Sequence, residues 1–469
     1  MTRTSTLEIA GGARVVTPDS VNLITPYVLY EQRDWFEDEI GFLRRLLLPG
    51  QQAIDVGANY GVYTLSIAQV VGPTGTVWAF EPASSTAAFL AQGIAANDFT
   101  QVVLERSALS RDCGTSQLTV NDNSEMNALV RDAQSGIASE TVRLVTLDDC
   151  LQRYGWEKID FLKMDAEGEE ANIIEGGRRF FADLSPLILY EVKAGEEVHL
   201  ELVEKFAALG FDSYRLVPGL ELLAPFDAAV APDGFLLNLF CCKKDRAERL
   251  AERGLLLDSA SIASYKAGNR FNDFLKQHQH RYHWENELTA LPYGAACAPL
   301  WRLSSHPDVS DALACFAISQ DEDLSPLERF GALERGFLTL MSVRSRRPQY
   351  LRLASLARVA RDYGARTVAA GALGQLAESL AKDGPLDAGE PFLAPGKRFD
   401  TIVPRTELKD WFRAAVLEEF ERISSFSSFF TGPTALERLE SIASLGYGSE
   451  EMSRRLQLLR IRFPKPAQA

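Results

Sequence analysis

The sequence predicts two structural classes in one chain. Residues 51–243 read as an α/β fold around a mostly parallel sheet, and residues 244–469 read as an all-α domain. Residues 1–50 form an N-terminal segment with a lid helix. Three observations carry this division. Short apolar runs alternate with helix-period stretches through the first half, the pattern of strands covered by helices on both faces. The second half is rich in Leu, Ala, Arg and Glu at helical spacing and has few β-branched runs. The charge also breaks near residue 243: residues 1–242 hold 17 Lys and Arg against 35 Asp and Glu, whereas the remainder holds 32 against 29.

In order, Gln52–Val56 is a buried strand stopped by Gly57, and Val62–Val71 a helix stopped by Gly72-Pro73. Thr76–Phe80 is the next strand, and Ser84 opens a helix to Asn97. Strand-like runs recur at 102–104, 142–145, 161–164, 187–192, 213–217 and 235–241. Helical patterns lie between several of them, at 147–154, 169–181 and 199–209. The last two strands are joined by a long loop, 218–234, so an antiparallel edge hairpin is expected. In such sheets the ligand crevice lies beyond the carboxyl ends of the strands.

Composition excludes several classes. With 469 residues, 46% apolar and 24% charged, the chain has ample material for a core and no collagen-like or disordered bias. No apolar run approaches the ~20 residues of a membrane span, and residues 1–30 lack a signal pattern, so a cytoplasmic protein is expected. The six cysteines show no CxxC spacing and read as buried thiols. His278, His280 and His283 do not share a helix face, so a solvated helix or turn is a better reading than a zinc site. No Lys or Arg occurs between Arg45 and Arg106, and an N-terminal domain this acidic is a poor nucleic-acid binder.

The chemistry is expected at the strand ends. The first turn is Asp55-Val-Gly57-Ala-Asn59-Tyr-Gly61, where glycines let the backbone approach a ligand. It is not the GxGxxG of a pyrophosphate site, and the acid ahead of the glycines favours an amino group or sulfonium over a diphosphate. Glu81, at the end of the next strand, can accept two hydrogen bonds from a ribose diol. Together the two features favour an adenosyl ligand.

Asp55-Val-Gly-Ala-Asn-Tyr-Gly-Val-Tyr-Thr64, Ala79-Phe-Glu-Pro82, Thr146-Leu-Asp-Asp149 and Lys163-Met-Asp-Ala-Glu-Gly168 follow one another in an order and spacing that resemble the FkbM-type S-adenosylmethionine-dependent methyltransferases. The resemblance covers about residues 30–195. It implies a Rossmann-like, seven-stranded class I methyltransferase sheet of order 3-2-1-4-5-7-6, and O-methyl transfer, commonly to a sugar or polyketide hydroxyl. It places Gly57, Asn59 and Gly61, with Asp55 ahead of them, along the methionine side of S-adenosylmethionine, Glu81 at the ribose, and Ser107 and Ala108 beside the adenine. A helix containing Gln32, Trp35 and Phe36 would lid the cofactor. The chain departs from the family at Asn127-Ala128, where a small hydroxyl residue is expected after Asn, and throughout its C-terminal half.

Methyl transfer needs two positioned reactants and a base for the acceptor hydroxyl. Asp165, which follows the strand 161–164, and Glu167 just beyond it are the candidate catalytic residues. Asp165 with Glu191 is also a candidate site for a divalent cation such as Mg²⁺. Asp165 alternatively contacts the cofactor's amino group or caps the following helix. Lys163 reads as a charge partner on the same strand face, and His199 as an alternative base.

Amphipathic helices are expected at 325–343, 350–363, 366–381, 408–423 and 436–445. The proline-rich stretch 384–404 is an extended loop that wraps the helices or crosses to another subunit, so a homo-oligomer is one expectation. The aromatics Tyr282, Trp284, Tyr293, Phe426, Phe429 and Phe430 read as helical core, or alternatively as a carbohydrate-stacking surface. The basic turn Arg344-Ser-Arg346-Arg347 reads as solvated. The function expected is O-methylation of a sugar hydroxyl on a polysaccharide or glycolipid precursor. The alternatives are a secondary-metabolite methyltransferase and a non-catalytic scaffold, the latter opposed by the intact DxGxNxG, Glu81 and KxDxEG.

Overall fold

Gln52–Val56 (β1) and Thr76–Phe80 (β2) begin a sheet continued by Val102–Glu105 (β3), Phe161–Met164 (β4), Leu187–Glu191 (β5), Asp212–Val217 (β6), Leu222–Pro225 (β7) and Asn238–Cys242 (β8). The computed structural model describes every residue except 1–2, 120, 122, 125–128, 130–137, 195–196, 268–269, 279, 302–305, 347–349, 382–385, 387–388, 406 and 465–469. The departure at Asn127-Ala128 lies outside the described residues.

The strand order is β7-β6-β8-β5-β4-β1-β2-β3. From β3 through β5 the pairs are parallel, and β8 runs antiparallel to both β5 and β6. This is the expected 3-2-1-4-5-7-6 order with one strand more. The extra strand lies within the predicted loop 218–234, where Leu222, Leu223 and Ala224 are buried. Three residues flanked by Pro225 are too short a run to signal a strand. The parallel strands are covered on both faces, so their interior residues read as unbroken apolar runs. Asp55 and Lys163 are the exceptions: both are buried, and they are register partners across β1 and β4.

Four further expectations are corrected. The run 142–145 belongs to a strand, Ser139–Val145, of a separate sheet with Ala108–Leu109 and Gly114–Thr119. The helix expected over 169–181 is two helices, Glu170–Glu175 and Arg178–Asp183. They part at Gly176-Gly177, where a Cβ on Gly176 would lie 2.3 Å from the Ser110 carbonyl oxygen. Residues 1–50 contain an antiparallel hairpin, Thr4–Glu8 with Arg14–Pro18, before any helix. The lid helix does not exist as drawn: Ile24–Gln32 ends where Arg33 turns left-handed (φ 64), and Trp35 and Phe36 lie in the link to helix Asp38–Leu46.

The chain divides into two compact units. The first comprises residues 1–216, 225–232 and 236–253, and the second 217–224, 233–235 and 254–469. The main division therefore falls after Arg253 rather than near 243. Helix Lys244–Glu252 stays with the α/β unit because Arg246 inserts beneath the sheet, 3.4 Å from Asp160 and 3.0 Å from the Ser185 carbonyl.

In the second unit, helices Pro326–Arg346, Tyr350–Tyr363, Arg366–Leu380, Leu408–Ile423 and Leu436–Leu445 stand where helical spacing predicts them. Ser325 and Glu328 form a reciprocal capping box at the first of these. Tyr282, Trp284 and Tyr293 are core residues, buried to 4% exposure or less, so they offer no carbohydrate surface. Part of the proline-rich stretch wraps this unit's own helices: Phe392 and Ala394 are fully buried, and the Tyr293 hydroxyl donates to the Phe392 carbonyl at 3.0 Å. Among the described residues no helix is long and apolar enough to cross a membrane. None of the six cysteines is in a disulfide; Cys113 is exposed and the other five are buried.

Candidate active site at the carboxyl ends of the sheet

The turn after β1 is shaped by its neighbours before any ligand is considered. Gly57 has φ 73, and a Cβ there would lie 1.8 Å from the Asp165 carbonyl oxygen. Gly57 therefore brings the β1 turn against the β4 turn, and this contact requires glycine. Gly61 has φ 89 and precedes the helix Val62–Val71; its missing Cβ makes room for Leu90. At these two positions glycine is a packing requirement whatever ligand approaches the turn.

Between them, Asn59 adopts a left-handed conformation (φ 50) and donates its backbone N–H to Glu81 Oε2 at 2.8 Å. Glu81 Oε1 accepts the Ala83 N–H at 2.9 Å. Each oxygen of this carboxylate thus retains accepting capacity. Burial pushes the Glu81 carboxyl up to about 7, against the pull of the Ala83 and Asn59 N–H groups. Asp55 is fully buried. Its Oδ2 accepts the Thr64 hydroxyl at 2.5 Å, and its Oδ1 has no partner. Ser107, beyond β3, is also buried with its hydroxyl unpartnered. Orphaned buried oxygens are rare in native interiors, and a polar ligand lying across these strand ends would satisfy them.

At the end of β4, Lys163 and Asp165 form an ion pair at 2.7 Å. The lysine side chain is 6% exposed and the aspartate 35%, so a buried ammonium holds a carboxylate that still meets solvent. The ammonium also lies 4.9 Å from the centre of the Tyr63 ring. Burial opposes the Lys163 charge, yet Asp165, Asp55 and Glu37 together hold it protonated, above the usual lysine range. Glu37 accepts hydrogen bonds from the Tyr63 hydroxyl and, at 3.1 Å, from the Asn238 amide. Asn238 is in turn the register partner of Glu191.

The sheet thus brings Asp55, Gly57, Asn59, Glu81, Lys163 and Asp165 together, with Glu191 one strand over and Ser107 beyond β3. Ala108 opens the small second sheet. Glu167 is exposed at φ 51 in the turn after β4. His199 pairs with Glu201 at 3.0 Å just before helix Glu201–Ala208. Thr146-Leu-Asp-Asp149 is a capping device: Thr146 accepts the Asp149 N–H, and Asp148 accepts the N–H groups of Arg179 and Phe180.

The divalent cation does not fit. Among the described residues no three His, Cys, Asp or Glu side chains are grouped to hold a metal, and the Lys163 ammonium takes the place beside Asp165 that a cation would need. Burial, with Asp165, Glu167 and Glu170 nearby, pushes the Glu191 carboxyl up to about 11. The sequence missed Glu37 and Tyr63. Glu37 meets partners 26 and 201 residues away, and no local pattern marks such a residue.

Comparisons with known proteins place the chain beside methyltransferases. The model of the FkbM methyltransferase domain matches residues 55–213. Methyltransferase sdnD of Sordaria araneosa is 31% identical over 192 residues, covering 34% of this chain and 74% of that protein. Among solved structures, a SAM-dependent O-methyltransferase from Thermotoga maritima is 15% identical, with 51% of this chain and 77% of that one covered at a TM-score of 0.25. An rRNA methylase from Streptococcus thermophilus is 12% identical, with 44% and 93% covered at a TM-score of 0.25. It is the family match and the sdnD relationship, set on the strand order and the strand-end residues, that assign the chain: it belongs to the FkbM family of S-adenosylmethionine-dependent methyltransferases.

Proposed function

We propose that the chain methylates a hydroxyl of a small acceptor, with Asp165 receiving the acceptor's proton. The observation that supports this is the ion pair of a buried Lys163 with a half-exposed Asp165. S-adenosylmethionine supplies an electrophilic methyl on a good leaving group. The protein's work is then to orient the acceptor and take one proton. In this reading Glu81 accepts from the ribose diol, Asp55 from the amino group, and Ser107 lies beside the adenine. Lys163 fixes the Asp165 carboxylate, and Glu167 stands at the exposed rim where an acceptor enters. The acceptor we infer is a sugar hydroxyl, as the family resemblance suggests. The acidity of residues 1–242 disfavours a nucleic acid.

Calorimetric titration of S-adenosylmethionine and S-adenosylhomocysteine into wild type and Glu81→Ala tests the cofactor half. Micromolar binding that is lost in the variant is expected, and no binding to wild type would overturn the reading. Transfer of a labelled methyl group to a panel of methyl glycosides, phenols and amines tests the acceptor half. Label in the glycosides, lost in Asp165→Asn, is expected; label in the amines alone would contradict hydroxyl chemistry.

A further inference from the structure

Ser124 is a residue that neither the motifs nor the reading above uses. Its hydroxyl lies 2.8 Å from Asn59 Oδ1, across 65 residues of sequence. The Tyr60 backbone N–H also lies 2.8 Å from that oxygen. A backbone N–H can only donate, so the atom it meets must be the amide oxygen, and the Ser124 hydroxyl must donate to the same oxygen. Both accepting directions of Oδ1 are then filled and the amide cannot flip. Its NH₂ is presented on the opposite side with two N–H donors.

Asn59 is held just as firmly through its backbone, left-handed at φ 50 with its N–H on Glu81. A non-glycine residue at positive φ persists where its surroundings over-determine it. Ser124 has its own anchor next door: Asn123 Oδ1 accepts, at 3.0 Å, the N–H of Ile24, the first residue of helix Ile24–Gln32. The crevice is otherwise rich in acids, with Asp55, Glu81 and Asp165 at neighbouring strand ends. An amide fixed with its donors outward is a group that such an acidic crevice can offer to an anionic end of a ligand. The amino-acid portion of the cofactor carries one, its carboxylate.

We propose that Ser124 is a positioning residue that locks the Asn59 amide so that its N–H donors meet the carboxylate of the cofactor. The proposal rests on the S-adenosylmethionine reading of the crevice and assigns to it a residue from outside the DxGxNxG turn. Ser124 itself does not touch the cofactor.

The test compares two probes, S-adenosylhomocysteine and 5′-methylthioadenosine. They share the adenosine and the thioether, and only the first carries the amino acid. Ser124→Ala should weaken S-adenosylhomocysteine about threefold to tenfold, the range of one hydrogen bond, and leave methylthioadenosine unchanged. Ser124→Thr, which keeps the hydroxyl, should restore the affinity. Asn59→Asp, which replaces the donors with a like charge, should weaken S-adenosylhomocysteine more than tenfold while methylthioadenosine again changes little. Equal losses for both probes in Ser124→Ala, or no loss for either, would overturn the proposal. Failure of both probes to bind wild type would instead overturn the cofactor reading itself.

Discussion

The helical unit and the strand-end site of the α/β unit bury charge in opposite ways. In the helical unit the buried acids are matched by arginines. Glu390 meets Arg352 at 2.7 and 2.8 Å, Glu418 meets Arg398 at 2.7 and 2.8 Å, and Glu421 lies between Arg438 and Arg455. In the α/β unit Asp55, Glu37 and Glu81 are buried at one end of a sheet, and Lys163 is the cation that the ionisation of Asp55 and Glu37 leans on. One Asp55 oxygen has no partner at all, and Glu81 is held by two backbone N–H groups and no cation. Paired burial specifies how helices pack, because removing either partner strands a charge. Unpaired burial is unfavourable for the fold by itself, and raised carboxyl pKa values are its signature. Burying Glu81 at about 7 rather than 4.5 costs the ligand-free fold about 3 kcal/mol above pH 7. A cofactor that donates to these oxygens offsets that cost.

The contrast can be broken most forcefully in the helical unit. Arg455, 1% exposed against Glu421, is the most deeply buried arginine among the described residues. Arg455→Met should lower stability by about 3 kcal/mol, the low end of the cost of breaking a buried ion pair, because Arg438 still meets Glu421. Thermal denaturation should show the loss, while S-adenosylhomocysteine affinity of the folded protein at low temperature stays within about twofold. A tenfold loss of that affinity would mean the ion-pair network serves the site. Asp165→Asn is the reverse experiment: turnover on a glycoside acceptor should fall by roughly 10²–10⁴, the worth of a positioned base, with binding of S-adenosylhomocysteine within about threefold. Equal loss of both would make Asp165 a cofactor contact.

Glu81→Gln should weaken S-adenosylhomocysteine by roughly tenfold or more, since it removes a charged acceptor. The smallest effect is expected at Thr146. Thr146→Ala should cost about 1 kcal/mol by removing a helix cap and should leave cofactor affinity unchanged, although the residue belongs to one of the recurring motifs.

How much of this could be read from the chain follows the range of the interactions. The strands β1, β2 and β4 are legible because a buried parallel strand writes itself as a local apolar run, here ended by Gly57, Glu81 and Asp165. The helices 350–363 and 408–423 are legible for the same reason at a different period. The Asp55, Glu81 and Asp165 ends are legible because the fold class puts chemistry at strand ends. Gly57 is only half legible: its spacing marks a turn, but nothing local says that the Asp165 carbonyl fills the space a Cβ would take. Glu37, Tyr63 and Ser124 are not legible as a site, because each acquires its meaning from a partner brought by topology. The cation site expected at Asp165 and Glu191 failed for a related reason. Adjacent strand ends suggest a carboxylate pair, but Lys163, two residues upstream on the same face, pairs with the first member, and burial disfavours ionisation of the second.

The measurement that tests the contrast most directly is the pH dependence of S-adenosylhomocysteine binding, by calorimetry at pH 6, 7 and 8, in wild type and Glu81→Gln. In the proposed site the ribose diol donates to the ionised carboxylate, and burial pushes the ligand-free carboxyl up to about 7. Affinity should therefore rise from pH 6 to pH 7, level off by pH 8, and approach a tenfold loss per unit below the titration point. The variant has no such group and should be flat over the same interval. A flat wild-type profile, or an equal slope in Glu81→Gln, would contradict the claim that this unit buries an unpaired carboxylate for its cofactor.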